Sequence, residues 1–261
     1  MLAQERQKLI LEMFKDQRII KTADIAEKYG ISNLTARRDL DVLGEQGYVR
    51  RIYGGAMLVP NAISNPAPEE KSNRPNTHKR IVEAIGKLAA SMVEEGDTIH
   101  LGNGKLTLEV AKNLVNIPNL TFITGSMMIA NFLMSFNCKI YILGGLIDPY
   151  EQNIYSRSAM EMMENFYPSK SILGCDGITV EHGVTAINLP GAELGAISVK
   201  SSAKTIIVAH NWKFGTDALN KVCDLSDTYA IVTDDGLSQE YRDKLKDAGA
   251  PMLYAQTDPE A

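Results

Sequence analysis

Between residues 97 and 235, short apolar runs alternate with helix-forming stretches: "DTIHLG", "LTFITG", "KIYILGG", "SILGCDG", "TIIVAH" and "YAIVTDD", separated by patterns such as "LTLEVAKNL" and "SMMIANFLMS". Each run is too short for a buried helix, and several are rich in β-branched residues, so they predict strands. Consecutive strands separated by helices run parallel, because a parallel pair needs a long crossover. The alternation predicts an α/β domain, a parallel sheet with helices on both faces. "KRIVEAIGKLAASMVEEG" leads into it, "PMLYA" closes it, and later helices are expected over roughly Glu193 to Ser201 and Ser238 to Ala248.

The first sixty residues follow another pattern. Leu9, Ile10, Met13 and Phe14 fall at helical spacing. "TADIAEKYG" offers Thr22 as an N-cap, Asp24 in the first turn and Gly30 as a stop. Only Ile31 separates Gly30 from a second cap, Ser32, so a tight turn joins two short helices. On the third helix, 33 to 43, Ala36, Leu40 and Leu43 share one face, while Asn33, Leu34, Arg37, Arg38 and Asp41 share the other. Gly47 ends that segment, and "YVRRIYGGA" then reads as a strand pair or wing carrying Arg50, Arg51 and Tyr53. Residues 60 to 77 hold four prolines and few large apolar side chains, the composition of a linker. The expected division is 1–58, a linker over 59–78, and 79–261, comfortable for a chain of 261 residues.

Charge follows the same division. Residues 1 to 57 carry ten Lys and Arg against eight Asp and Glu, a net of +2 that leaves −7 for the rest of a chain at −5. An acidic body repels a polyanion, so binding to double-stranded DNA is confined to the first segment. A winged helix-turn-helix sends its second helix to base edges and its flanks to phosphates. The candidate contacts are Thr22, Ser32, Asn33, Thr35, Arg37, Arg38, Arg50, Arg51 and Tyr53.

In the second segment the strand ends finish in small or polar residues: "LGNGKLT" (Gly102, Asn103, Gly104, Lys105, Leu106, Thr107), "TGS" (Thr124, Gly125, Ser126), Gly144 and Gly145, Asp176 in "GCDG", and His210 and Lys213 in "AHNWKFG". Gathered at the carboxyl ends of parallel strands, such residues make a ligand crevice. Glycines admit a ligand to the backbone, helix-start N–H groups favour an anion, and Lys105 adds a point charge. The expected ligand is small and phosphorylated or otherwise anionic.

The stretch from Arg6 to Ala56 resembles the N-terminal domain of the DeoR family of bacterial transcriptional regulators. Ser32, Thr35, Arg37, Arg38, Asp39, Leu40, Gly54, Gly55 and Ala56 match its signature in order, with Ala36 where a larger aliphatic is common. From about Lys79 to Ala255 the chain resembles the family's sensor domain, similar in fold to ribose-5-phosphate isomerase. "LGNGKLT" stands at the family's phosphate loop, "TGS" at its Thr-Asn-Ser, and "KFG" at the end of its Asp-x-x-Lys-Phe motif. Gly102 and His210 stand where aspartates are usual, Lys105 and Leu106 where threonines are, Gly125 for an asparagine and Gly195 for a lysine.

The resemblance implies a repressor of a sugar or sugar-derivative operon, released by a phosphorylated sugar-type effector and acting as a homodimer or homotetramer. The alternative is an isomerase or deaminase with an accessory DNA-binding domain, but that chemistry needs a carboxylate or comparable base. Asp176 is the clearest acid there, and Glu181 reads as part of an exposed turn, so no enzyme is expected. Cys138, Cys175 and Cys223 are odd in number and widely spaced, which suits a reducing compartment rather than disulfides. His78, His100, His182 and His210 show no metal-ligand spacing, so neither metal nor cofactor is expected. The charged start "MLAQERQKLILEMF" and the lack of a long apolar run predict a cytoplasmic protein with no membrane partner.

Overall fold

The computed structural model describes residues 3–14, 17, 19–45, 48–52, 54–58, 74–149 and 151–257. They fall into two compact units, Met1–His78 and Lys79–Ala261.

The first unit comprises α1 (Ala3–Met13), β1 (Ile19–Lys21), α2 (Thr22–Tyr29), α3 (Asn33–Glu45), β2 (Val49–Ile52) and β3 (Gly55–Leu58), followed by the start of α4 (Arg74–Ala90). Its core is Ile10 from α1 and Phe14 just after it, Ile25 from α2, Ala36, Leu40 and Leu43 from α3, with Ile20 and Val49 from the sheet. The small sheet has the order β1-β3-β2 and is antiparallel throughout. β1 is a strand that the apolar pattern did not announce. It decides the Gly-Gly-Ala run: Gly54 turns at φ 76°, and a Cβ on Gly55 would overlap the Ile20 carbonyl.

Two expectations need correction. Thr22 is the first residue of α2 rather than its cap. β1 runs straight into the helix, so Lys21, extended at φ −80° and ψ 144°, takes the cap position without a side-chain bond. And α4 begins at Arg74, inside the stretch read as linker. Pro75 falls in the first turn, where a missing N–H costs nothing and φ is already helical. The rest of the linker, residues 59–73, with Gly47 and Tyr53, lies outside the described residues.

The second unit continues with β4 (Thr98–Leu101), α5 (Lys105–Leu114), β5 (Thr121–Thr124), α6 (Met127–Leu133), β6 (Lys139–Ile142), β7 (Ile147–Asp148), β8 (Asn153–Ile154), α7 (Arg157–Glu164), β9 (Lys170–Leu173), β10 (Gly177–Thr179), β11 (Gly183–Ala186), α8 (Leu189–Ser201), β12 (Lys204–Val208), β13 (Asn220–Cys223), β14 (Ala230–Asp234), α9 (Gln239–Asp247) and β15 (Met252–Ala255). Seven strands form one parallel sheet in the order β15-β14-β12-β9-β4-β5-β6. Successive residues serve opposite faces. Ile206 and Val208 join Ile85, Val110 and Ile129 from α4, α5 and α6, while Ile207 packs with Leu245 of α9. Ile123 meets Met163 of α7 and Leu194 of α8 on that second face.

Two antiparallel additions lie outside the alternating pattern: the β7–β8 hairpin and the sheet β10-β11-β13. α8 starts at Leu189, earlier than expected, because Asn188 accepts from the Gly191 N–H and Pro190 suits the first turn. The chain winds from β4 outward to β6, then returns to β9 on the other side of β4. The β4/β9 boundary is thus the topological switch point, where open α/β sheets place their ligand crevice.

Candidate DNA face and effector crevice

The helix-turn-helix is held by local chemistry. Gly30, left-handed at φ 61° and ψ 37°, closes α2 by donating its N–H to Ala26 and Glu27 carbonyls. Ser32 opens α3: its Oγ accepts from the Thr35 N–H at 3.1 Å and lies 2.9 Å from Thr35 Oγ1. Asn33, Arg37 and Arg38 are exposed on the outward face, with Leu34 and Asp41. Opposite them, Ala36 and Leu40 are fully buried.

Asp39, in the middle of the Arg-Arg-Asp-Leu run, points inward. It accepts from Arg6 Nε at 2.5 Å, from Arg6 Nη2 at 3.1 Å and from Gln7 Nε2 at 3.2 Å. Removing either charge leaves the other stranded near the core. Thr22 is 5 % exposed, which takes its side chain off the DNA-facing surface. Arg51 reaches Asp41 at 3.4 Å, tying the wing to the outer face of α3. Arg50 pairs with Met57 in the β2–β3 ladder, and its side chain, like the whole of Tyr53, lies outside the described residues.

In the second unit the loops after β4, β5, β9 and β12 share the carboxyl edge of the sheet, and side chains stitch them together. Thr124 Oγ1 donates to the Leu101 carbonyl at 2.8 Å and accepts from the Ser126 N–H at 3.0 Å. Ser126 Oγ donates to Asn103 Oδ1 at 2.9 Å. Across the switch point, Lys213 Nζ lies 3.3 Å from Asp176 Oδ1, while Asp176 Oδ2 accepts from the Ile187 N–H at 3.0 Å. His210 stacks on Trp212, rings 4.0 Å apart and 9° from parallel.

The roles within that set divide. Gly104, at φ 130° and ψ 169°, precedes the first turn of α5, and Lys105 is exposed at its start. Leu106 is buried in the core and Thr107 bonds back to the Gly104 carbonyl at 2.8 Å, so these two build the loop instead of facing a ligand. Thr124 and Ser126 are likewise fully buried. Gly102 and Gly125 have local reasons: a Cβ would stand 3.1 Å from Leu173 Cδ2 at the first and 3.0 Å from the Ile154 carbonyl oxygen at the second. Gly195 faces β13, where a Cβ would lie 3.1 Å from Val222 Cγ1. Gly144 and Gly145 follow the edge strand β6, two strands from β4, and the Gly144 carbonyl accepts from Ser156 and Ser158 at the start of α7.

The β7–β8 hairpin brings in residues that sequence reasoning missed. Asn103 Nδ2 donates to the Glu151 carbonyl at 3.0 Å and to its carboxylate at 3.3 Å. Asn153 is 2 % exposed and forms a bridge with Ser126. Burial, then the nearby Glu151, pushes the Tyr155 hydroxyl well above its ordinary value. The polar run "YEQNIY" was the available signal, but it does not reveal that the hairpin folds back to β5.

Burial pushes the Cys175 thiol, next to Asp176, up to about 12, which favours the protonated thiol at neutral pH. Among the described residues no group of His, Cys, Asp and Glu could hold a metal, and no helix is long and apolar enough to cross a membrane. A cavity of about 400 Å3 opens at the opposite, amino end of the strands, between Thr98, Tyr167, Ser169 and Ser202.

Comparison with known proteins supplies the family. A profile of the DeoR-like helix-turn-helix domain matches residues 6–61, and one of the DeoR C terminal sensor domain matches residues 77–235. The transcriptional repressor AccR of Agrobacterium fabrum is 32% identical over 235 residues, covering 89% of this chain and 90% of its own. The glycerol-3-phosphate regulon repressor of Escherichia coli K12 is 26% identical over 231 residues, covering 88% and 90%. Among solved structures, ribose 5 phosphate isomerase A from Neisseria gonorrhoeae aligns over 52% of this chain and 53% of that one, at 14% identity and a TM-score of 0.38, too distant to bear on function. Both profiles fall in the order of the two units and together span most of the sequence, and the chain belongs to the DeoR family of transcriptional regulators.

Proposed function

We propose that this regulator represses a sugar or sugar-derivative catabolic operon and is released from its operator by a small phosphorylated, sugar-type effector. Residues 1–58 bind DNA, 59–78 connect, and 79–261 sense the effector. The observation that carries the DNA half is the division of α3: Asp39, Ala36 and Leu40 face inward, leaving Arg37, Arg38 and Asn33 outward beside Ser32 and Thr35. Arg37 reads base edges, and Arg38 with Arg50, Arg51 and Tyr53 of the wing grips phosphates.

For the effector, the crossing of Gly102–Gly104, Lys105, Asp176 and Lys213 at the switch point supports an anion at the start of α5, with Asp176, Lys213 and His210 toward the hydroxyls. The glycerol-3-phosphate repressor among the relatives supports a phosphorylated ligand. Asp176 spends one oxygen on Lys213 and the other on the Ile187 amide, which argues against service as a general base and for binding rather than catalysis. The regulator works in the cytoplasm as a dimer or tetramer, since each winged unit covers one half-site. Gel shifts with the intergenic DNA flanking its own gene test the reading: retardation that tightens as salt is lowered and weakens with a sugar phosphate supports it, and no retardation at any salt sinks it.

A further inference from the structure

Parallel sheets are normally covered on both faces, and even an edge strand then buries part of its length. β6 buries less: Ile140 packs partly buried against the core, but none of Lys139–Ile142 is fully buried, whereas every other strand of the seven-stranded sheet has at least one buried residue. β6 also ends the sheet, so its outer row of N–H and C=O groups has no strand beside it among the described residues. Apart from Lys139 and the shortness of the strand, the usual protections of a bare edge are missing: residues 139–147, "KIYILGGLI", contain no proline and no other charge. Tyr141 and Ile142 are exposed on the strand, Met134 (69%) and Phe136 flank its start, and Leu146 (83%) and Ile147 its end.

We propose that this edge is the docking surface for a second copy of the chain, β6 against β6 about a two-fold axis. A two-fold axis makes the two strands antiparallel. Pairing centred between Ile140 and Tyr141 then sets Lys139 of each copy beside Ile142 of the other, so the like charges fall at opposite ends and the middle is apolar. At their exposed fractions the six side chains offer roughly 600 Å2, taking about 200 Å2 for each in full. The strand backbone adds to this, against the ~800 Å2 per partner of a standard interface. The choice of a second copy as occupant rests on the reading of the chain as a two-half-site DNA binder; the bare edge itself does not.

Light scattering on the full chain at micromolar concentration tests it. Wild type is expected as a dimer or a multiple of one. Ile142→Lys combined with Leu146→Lys halves that mass, while Ile142→Val combined with Leu146→Met leaves it unchanged. A monomeric wild type, as when the N-terminal unit covers the edge instead, overturns the proposal, and so does a charged variant that is folded and keeps the wild-type mass. If the charged variant does not fold by circular dichroism, hydrogen exchange of wild type on dilution decides. Protection over 139–147 that is lost as the mass falls supports the surface, and protection that does not follow the mass overturns it. A wild type that has the dimeric mass but retards no operator DNA counts against the operator reading alone.

Discussion

Arg6 of α1 and Asp39 of α3 meet through two hydrogen bonds, at 2.5 and 3.1 Å, across the helical core of the first unit. The Arg-Arg-Asp-Leu run therefore does two jobs: its arginines point to solvent and its aspartate clamps the helix that carries them. Asp39→Asn is expected to lower the stability of the first unit by about 1.5 to 3 kcal/mol, the worth of hydrogen bonds to a charged group. Thermal unfolding followed by far-UV circular dichroism measures this, and an unchanged first transition would show the clamp to be decorative.

Arg37→Ala makes the converse change. It is expected to weaken operator binding by roughly 1 to 3 kcal/mol, while affinity for random duplex changes far less. Arg38→Ala should weaken both duplexes alike and reduce the slope of log affinity against log salt by about 1. Titrations at two salt concentrations separate the two arginines.

His100 sets a pH dependence. It is fully buried in β4, with Nδ1 3.3 Å from Ser171 Oγ, and burial drives its imidazole from the ordinary 6.5 down to about 4. The unfolded chain then takes up the proton first, so stability falls as pH drops from 6.5 to about 4, at up to about 1.4 kcal/mol per pH unit, and this contribution levels off below. His100→Gln should flatten that part of the profile. Melting temperatures between pH 7 and pH 4 that decline equally in both proteins would assign the acid loss elsewhere.

Much of this was legible in the sequence because it depends on periodicity. The alternation beyond residue 97 announced the parallel sheet, and the spacing of Ala36, Leu40 and Leu43 announced which face of α3 is buried. Contacts between residues distant in the chain were not legible. Nothing near Asp39 points to Arg6, and a three-residue strand such as β1 is too short to show a period. The same holds for the crevice: strand ends were visible as glycine-rich turns, but the order that brings β9 beside β4 was not, nor were Glu151, Asn153 and Tyr155 on the hairpin that folds back to β5. The side chains of Leu106 and Thr107 turn into the core and back to the loop because the first turn of a helix buries one side while it presents the other.

The coupling between the two units is tested most directly by fluorescence anisotropy of a labelled operator, titrated with the full-length protein with and without a panel of sugar phosphates, in wild type and Lys105→Ala. At least one sugar phosphate is expected to weaken operator binding by wild type several-fold to a hundredfold, a coupling of about 1 to 3 kcal/mol. Lys105→Ala should bind the free operator as wild type does and require a higher concentration of the same compound for release. Operator affinity indifferent to every compound in the panel would contradict a sugar-phosphate switch, and equal release of both proteins would move the anion site away from the start of α5.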